Sequence, residues 1–457
     1  MSGSASAPWS RALVVGLGRS GHAAISLLGA LGVHVEAYDA REAVEDLPED
    51  LPVHLGTPVP SDAALEGIDL LVLSPGVPPT AILERARQVA PNAVVHGELG
   101  LGLQLVHGPT GPWSPVPTIL VTGTNGKSTV TALTGALLEA AGRRPFVGGN
   151  LGIPLCELLQ QTLAGQQPWP DAMVIECSSY QLETLPPVPI EVAMIVNISP
   201  DHLDRYDSYE HYARTKARIF AGLSADGLAL LDVDDAWTER LAPAKGRVAR
   251  VGDPTVARLE GEGSEQQLVL GPDERYARSS LRIAGGHNGR NALFALLAAR
   301  HVGVSAEACA QGLTRFGGLP HRMVLVRELA GVTYYNDSKA TNVASALAGL
   351  GGLDRPFVLI AGGRSKGDDL QPLRELLAAR GRGLVVVGDS AEQFAALGQG
   401  VVPVVHAGLM DDAVPKARAL AQAGEAVVLA PACASFDQYR SYAQRGEAFT
   451  AAVEALG

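Results

Sequence analysis

The segment Thr118-Ile-Leu-Val-Thr-Gly-Thr-Asn-Gly-Lys-Ser-Thr129 runs from an apolar, β-branched stretch straight into a Gly-Lys-Ser turn. Read as strand, loop and helix start, it is a phosphate loop. Gly123, Thr124, Asn125, Gly126, Lys127, Ser128 and Thr129 bring backbone amides around phosphates, with Lys127 facing the β/γ oxygens and the Ser128 hydroxyl where Mg2+ is held. The loop is shorter than its usual form, because Val121 stands where the first glycine of GxxxxGK[ST] is expected. Thr129-Val-Thr-Ala-Leu-Thr-Gly-Ala-Leu-Leu138 continues it as a helix. A strand that feeds an anion-binding helix start belongs to an α/β fold, and it predicts ATP as a ligand.

Working outward, short β-rich runs alternate with Ala/Leu-rich stretches along the whole chain, the pattern of parallel sheets with crossover helices. Ala12–Val15, Val33–Tyr38 and Leu70–Leu73 are predicted strands of a first unit, and Gly108–Pro117, with four prolines in ten residues, reads as a linker. Ala172–Ile175 and Val192–Val196 join the quoted strand. Past a break near Phe316–Arg322, Pro356–Ile360, Leu384–Val387 and Ala426–Leu429 supply a third sheet. The expectation is α/β throughout, with a Rossmann-like domain over 1–107, a P-loop ATPase-like domain over 108–318 and a Rossmann-like domain over 319–457, each on a largely parallel sheet.

Composition narrows the function. With 36 basic against 48 acidic residues the net charge is -12, which argues against a protein that coats nucleic acid but not against one binding small anions locally. Cys156, Cys177, Cys309 and Cys433 lie far apart without a CxxC pair, so neither a disulfide framework nor a thiolate zinc site is expected. No basic start followed by a long apolar run occurs, and Gly, Pro or charge interrupts every apolar stretch. A cytoplasmic protein without membrane insertion is the expectation.

A second phosphate loop lies upstream. Gly16-Leu-Gly-Arg-Ser-Gly21 follows the first strand and opens a helix, and Asp39 ends the next strand, where a carboxylate reaches a ribose. By pattern alone this favours NAD. With an ATP loop next door, either this fingerprint holds something else or the enzyme uses both nucleotides. Strand ends on one edge of a parallel sheet lie together, so Glu176, just past its strand, and His202, within Asn197-Ile-Ser-Pro-Asp-His-Leu-Asp204, face the ATP phosphates as hard-cation candidates. On the helix Ser208–Phe220, Lys216 shares an apolar stripe with Tyr209, Tyr212, Ile219 and Phe220; taken alone, that describes a snorkelling lysine. An NAD-dependent oxidoreductase and a non-catalytic ATP switch stay open as classes at this point.

Thr122-Gly-Thr-Asn-Gly-Lys-Ser-Thr129, Glu176-Cys-Ser-Ser179, Asn197 to Asp204 and His287-Asn288 together resemble the Mur ligases of bacterial cell-wall synthesis. Gly16 to Gly21, Leu319-Pro-His-Arg322, Asn336-Asp-Ser-Lys-Ala-Thr-Asn342 and Pro431-Ala-Cys-Ala-Ser-Phe-Asp-Gln438 resemble the branch that adds D-glutamate. The resemblance implies that D-glutamate is joined to UDP-N-acetylmuramoyl-L-alanine with cleavage of ATP to ADP and phosphate, in a monomer. It also implies that the first loop holds the UDP sugar rather than NAD, through Arg19, Ser20, Asp39, Arg41, Ser74 and Gly76, with Asn150 and Gln181 near the muramoyl group. ATP contacts beyond the loop map onto Asn288, Asn291, Arg322 and Asp337, and D-glutamate contacts onto Thr341, Lys366, Ser435 and Tyr442. The family further implies two Mg2+ ions, one held by Ser128 and Glu176, the other by His202 and Lys216 as a carbamate.

Overall fold

The computed structural model describes residues 7–457 apart from 46, 110, 203, 204, 282, 284, 285 and 366. Its described residues form three sheets of five, nine and six strands. They fall into two compact units, one running to Ala277 and taking in Asn291–Leu313, the other comprising Arg278–Arg290 and Thr314–Gly457.

The first unit holds two sheets. Five parallel strands lie in the order Val53–Leu55, His34–Asp39, Arg11–Val15, Leu70–Leu73, Val94–Gly97. The order reverses between the first and fourth strands, which opens a crevice at their carboxyl ends, and the Gly16–Gly21 loop lies there. Leu70 to Leu73 is buried at every position, as a strand covered on both faces must be.

In the nine-stranded sheet, six parallel strands read Pro145–Gly149, Ala172–Glu176, Thr118–Thr122, Ile190–Ile195, Leu223–Asp232, Arg247–Val251. Ala257–Glu260 then pairs parallel through Val251, and an antiparallel hairpin of Gln267–Leu270 and Glu274–Ala277 finishes the sheet. Thr118–Thr122 sits between two parallel neighbours, and all five of its residues are buried.

The proline-rich stretch is more than a tether. Trp113 is buried and stacks on Trp169 with ring centroids 6.2 Å apart, so the crossing between the two sheets is pinned by aromatic packing.

The second unit carries six strands in the order Val324–Leu329, Val332–Asn336, Ala426–Leu429, Phe357–Gly362, Gly381–Val387, Val404–His406, antiparallel only in the first pair. No helix among the described residues is long and apolar enough to cross a membrane.

Candidate active site

The strand Thr118–Thr122 ends, and the helix Lys127–Ala140 begins with Lys127 itself, so the intervening loop must turn sharply. Gly126 supplies φ of 81°, and a Cβ there would lie 2.6 Å from Asn291 Oδ1, which places Asn291 directly against the loop. Asn197 holds the loop from the other side: its Oδ1 accepts the Asn125 N–H at 2.9 Å and its Nδ2 donates to the Asn125 carbonyl at 3.0 Å. The Thr124 hydroxyl lies 3.0 Å from the Ser199 carbonyl and 3.1 Å from the Tyr212 hydroxyl. The cradle is therefore preformed.

Two lysines meet at one carbonyl. Lys127 Nζ donates to the Gly123 carbonyl at 3.0 Å and to that of Thr124 at 2.9 Å, and Lys216 Nζ donates to the same Gly123 carbonyl at 2.8 Å. Lys216 rides on the helix Tyr209–Ala217, capped by the Ser208 hydroxyl, and is 2% exposed, so its head is buried with its stem and it does not snorkel. Burial first, then the neighbouring Lys127 charge, holds its pKa well below the ordinary lysine value. Glu176 and Asp201 pull the other way.

Glu176 is the last residue of its strand rather than the first beyond it, at the same sheet edge. It is 2% exposed; Oε1 accepts from Asn150 Nδ2 at 2.6 Å, while Oε2 is buried with no hydrogen-bond partner. A bare carboxylate oxygen beside a phosphate loop fits a hard cation, and the Ser128 hydroxyl, on a residue also buried, lies in the first turn of the adjoining helix. His202 has φ of 54°, a left-handed conformation that costs about 1–2 kcal/mol without glycine, and its Nδ1 lies 3.0 Å from the Tyr180 hydroxyl. Among the described residues no three His, Cys, Asp or Glu side chains converge as a metal site.

The upstream loop faces a cavity of about 480 Å3 that gathers Arg19, Ser20, Asp39, Ser74, Gly76, Asn150 and Gln181 from both sheets of the unit. Arg41 is not in its lining; it grips Asp39 instead. Asp39 accepts from Arg41 Nε at 2.9 Å, Arg41 Nη2 at 2.8 Å, the Arg41 N–H at 3.0 Å and the Leu17 N–H at 2.8 Å. Those bonds, Arg41 foremost, hold its pKa far below the usual carboxylate range. They also use up the carboxylate's acceptor capacity, so Asp39 shapes the loop rather than waiting for a ribose hydroxyl. Gln181 is tied down too, its Oε1 accepting from the Ser178 N–H and hydroxyl at 2.9 and 3.0 Å.

In the second unit, Asp337 is 6% exposed and burial lifts its pKa to about 7, against the opposing charge of Arg322; its Oδ1 accepts the Met323 N–H at 3.2 Å. Ser435 is buried, and Thr341 and Tyr442 are half-buried. The Ser338 hydroxyl donates to the Tyr442 carbonyl at 2.8 Å, and Lys339 Nζ sits 3.8 Å from the Tyr442 ring centroid. Asn288 is buried at the start of the helix His287–His301. Lys366 lies outside the described residues. Sequence reading assigned no role to the Asn197 amide or to Tyr180; the first was visible only as part of the Asn197–Asp204 run.

Three family models match the chain in order: "Mur ligase MurD-like, N-terminal domain" over 10–94, "Mur ligase middle domain" over 121–299 and "Mur ligase, glutamate ligase domain" over 321–433. A UDP-N-acetylmuramoylalanine–D-glutamate ligase of Myxococcus xanthus is 40% identical, covering 98% of each chain. Its counterpart in Aromatoleum aromaticum is 38% identical over 97% of each. Among solved structures, the UDP-N-acetylmuramate-alanine ligase of Thermotoga maritima superposes with a TM-score of 0.60 at 16% identity, over 98% of this chain and 99% of that one. Folylpolyglutamate synthase of Mycobacterium tuberculosis gives 0.58 at 20% identity, over 74% and 91%. At such identities these two establish the shared fold.

Proposed function

The chain belongs to the Mur ligase family, and on that premise we propose that it joins D-glutamate to UDP-N-acetylmuramoyl-L-alanine, driven by ATP, in peptidoglycan synthesis. The observation that carries this reading is the junction of the two phosphate loops. Asn150, in the cavity of the upstream loop, donates to Glu176 at the edge of the ATP loop, so a nucleotide sugar in that cavity has its far end led toward the γ-phosphate.

The chemistry follows from charge. The alanyl carboxylate of the sugar nucleotide attacks the γ-phosphorus; an O–P bond forms as the bond to ADP breaks. Both reactants are anions, so Lys127 and the amides from Gly123 to Ser128 stabilise the charge that spreads over the transferring group. The D-glutamate amine then attacks the acyl phosphate carbon, the amide bond forms, and phosphate leaves. Mg2+, when bound, would neutralise phosphate charge; the bare Glu176 oxygen near Ser128 fits one ion, and His202 with a carbamylated Lys216 would hold the proposed second. Asn288, Asn291, Arg322 and Asp337 complete the ATP site in this reading, and Thr341, Ser435, Tyr442 and Lys366 the amino-acid pocket. It divides the chain at 107 and 318 into three domains and describes a cytoplasmic monomer.

Phosphate release with ATP, UDP-N-acetylmuramoyl-L-alanine and a panel of amino acids tests the reaction. D-glutamate alone is expected to support rapid turnover; comparable release with meso-diaminopimelate, L-lysine or L-alanine contradicts the assignment.

The upstream cavity is tested separately by calorimetry. The wild type is expected to bind UDP-N-acetylmuramoyl-L-alanine and not NAD. Asp39→Ala frees Arg41 and the Leu17 amide, and losing such charge-assisted bonds weakens sugar-nucleotide binding by about tenfold or more. Tight NAD binding refutes the reading.

A further inference from the structure

One buried carboxylate plays no part in the chemistry above. Glu98 opens the helix Glu98–His107, directly after the last strand of the five-stranded sheet, and is 1% exposed. Its Oε1 accepts the Cys156 N–H at 2.7 Å, and its carbonyl accepts the Cys156 S–H at 3.3 Å. Cys156 lies in the first turn of the helix Leu155–Leu163, whose N-cap, Pro154, offers no side chain to the free amides. Glu98 thus caps, from the five-stranded sheet's side of the unit, a helix that follows a strand of the nine-stranded sheet, with its carboxyl group at the positive end of the dipole.

The chain leading into that helix is the cavity wall. Gly149, Asn150, Gly152 and Pro154 line the cavity, and Asn150 is the residue that reaches Glu176. Arg19, itself in the cavity lining, braces the same segment, donating to the Gly152 carbonyl at 2.7 Å and to Glu157 Oε2 at 3.2 Å. Glu98 is the inner brace. It is a poor device for stability alone, since Oε2 is buried without a partner and burial lifts its pKa to about 7.

We propose that Glu98 is a positioning residue of the nucleotide-sugar site, fixing the Gly149–Pro154 wall and, through it, Asn150. The proposal rests on the reading of this cavity as the UDP-sugar site.

Calorimetry and steady-state kinetics on wild type, Glu98→Ala and Glu98→Gln test it. Glu98→Ala is expected to raise the Kd and KM for UDP-N-acetylmuramoyl-L-alanine by about tenfold, the loss of one charge-assisted bond, while the KM for ATP stays within about twofold. Glu98→Gln, which keeps a carbonyl acceptor for the Cys156 N–H, is expected to recover most of the loss. If Glu98→Ala gives no cooperative melt, Glu98→Asp, which withdraws the carboxylate by one methylene, takes its place with the same expected split. Unchanged sugar binding, equal weakening of ATP and sugar, or a Gln variant no better than Ala overturns the proposal. A wild type that binds no sugar nucleotide overturns the underlying reading of the cavity, and the proposal with it.

Discussion

Replacing Lys127 by Ala is expected to reduce turnover on the order of a thousandfold or more while the protein still melts cooperatively close to the wild-type temperature. Both halves follow from where the side chain sits. Lys127 is half-buried and its ammonium donates to two loop carbonyls, those of Gly123 and Thr124, so its removal empties no core. The loop keeps its shape through Asn197 on Asn125 and through Thr124 on Ser199, neither of which involves Lys127. On the role proposed for Lys127, what disappears is the cation that meets charge as it moves to the β/γ bridge in the transition state, a differential interaction that registers in kcat. Phosphate release at saturating ATP, with a thermal melt on the same sample, checks the prediction. Near-normal release removes the loop from the chemistry.

Lys216→Ala is expected to cost a similar factor, on the order of a thousandfold, for a different reason. Lys216 shares the Gly123 carbonyl with Lys127, and two ammonium groups on one acceptor in a desolvated place repel each other. Burial and that repulsion together hold the pKa of the more buried partner, Lys216, well below the ordinary lysine value. The sign is that of a base: below its lowered pKa Lys216 is a cation, and above it a neutral amine that attacks CO2. The proposed carbamate would place an anion beside Glu176 and Asp201, an arrangement that a divalent ion would stabilise. Activity of the wild type is therefore expected to rise with bicarbonate and to fall as pH drops through the depressed value. A small carboxylic acid such as acetate is expected to restore part of the activity of Lys216→Ala by occupying the carbamate's place. Wild-type turnover by that variant in bicarbonate-free buffer rejects the assignment and leaves Lys216 a structural amine.

Legibility followed the range of the interactions. The strand Thr118–Thr122 and its loop were readable because a β-branched run, two glycines and a lysine are all local signals. The cavity residues came from the family resemblance, and seven of the eight line one space because two sequence-distant strand ends share a unit. The eighth, Arg41, faces Asp39, a pairing two residues apart that sequence treats as two independent ligands. The strands from Arg247 to Ala277 were missed. They are short, and charged residues such as Arg247, Arg250, Arg258 and Glu274 break up their apolar pattern. Glu98 carried no signal, since a Glu opening a helix is ordinary and its partner lies 58 residues away.

The two outer strands of the nine-stranded sheet bear on how the molecule behaves in a crowd. A sheet so wide would, with bare margins, offer its unpaired amides as a template for another chain. One margin, Pro145–Gly149, opens on a proline that has no N–H and closes on two glycines with little β preference. The other, Glu274–Ala277, is four residues long, and Arg275 joins Glu260 and Arg258 in a cluster of ion pairs at 3.0 and 2.7 Å. Neither margin invites a tenth strand, so high local concentration during synthesis leaves the folded sheet without a seed for edge-to-edge fibre growth.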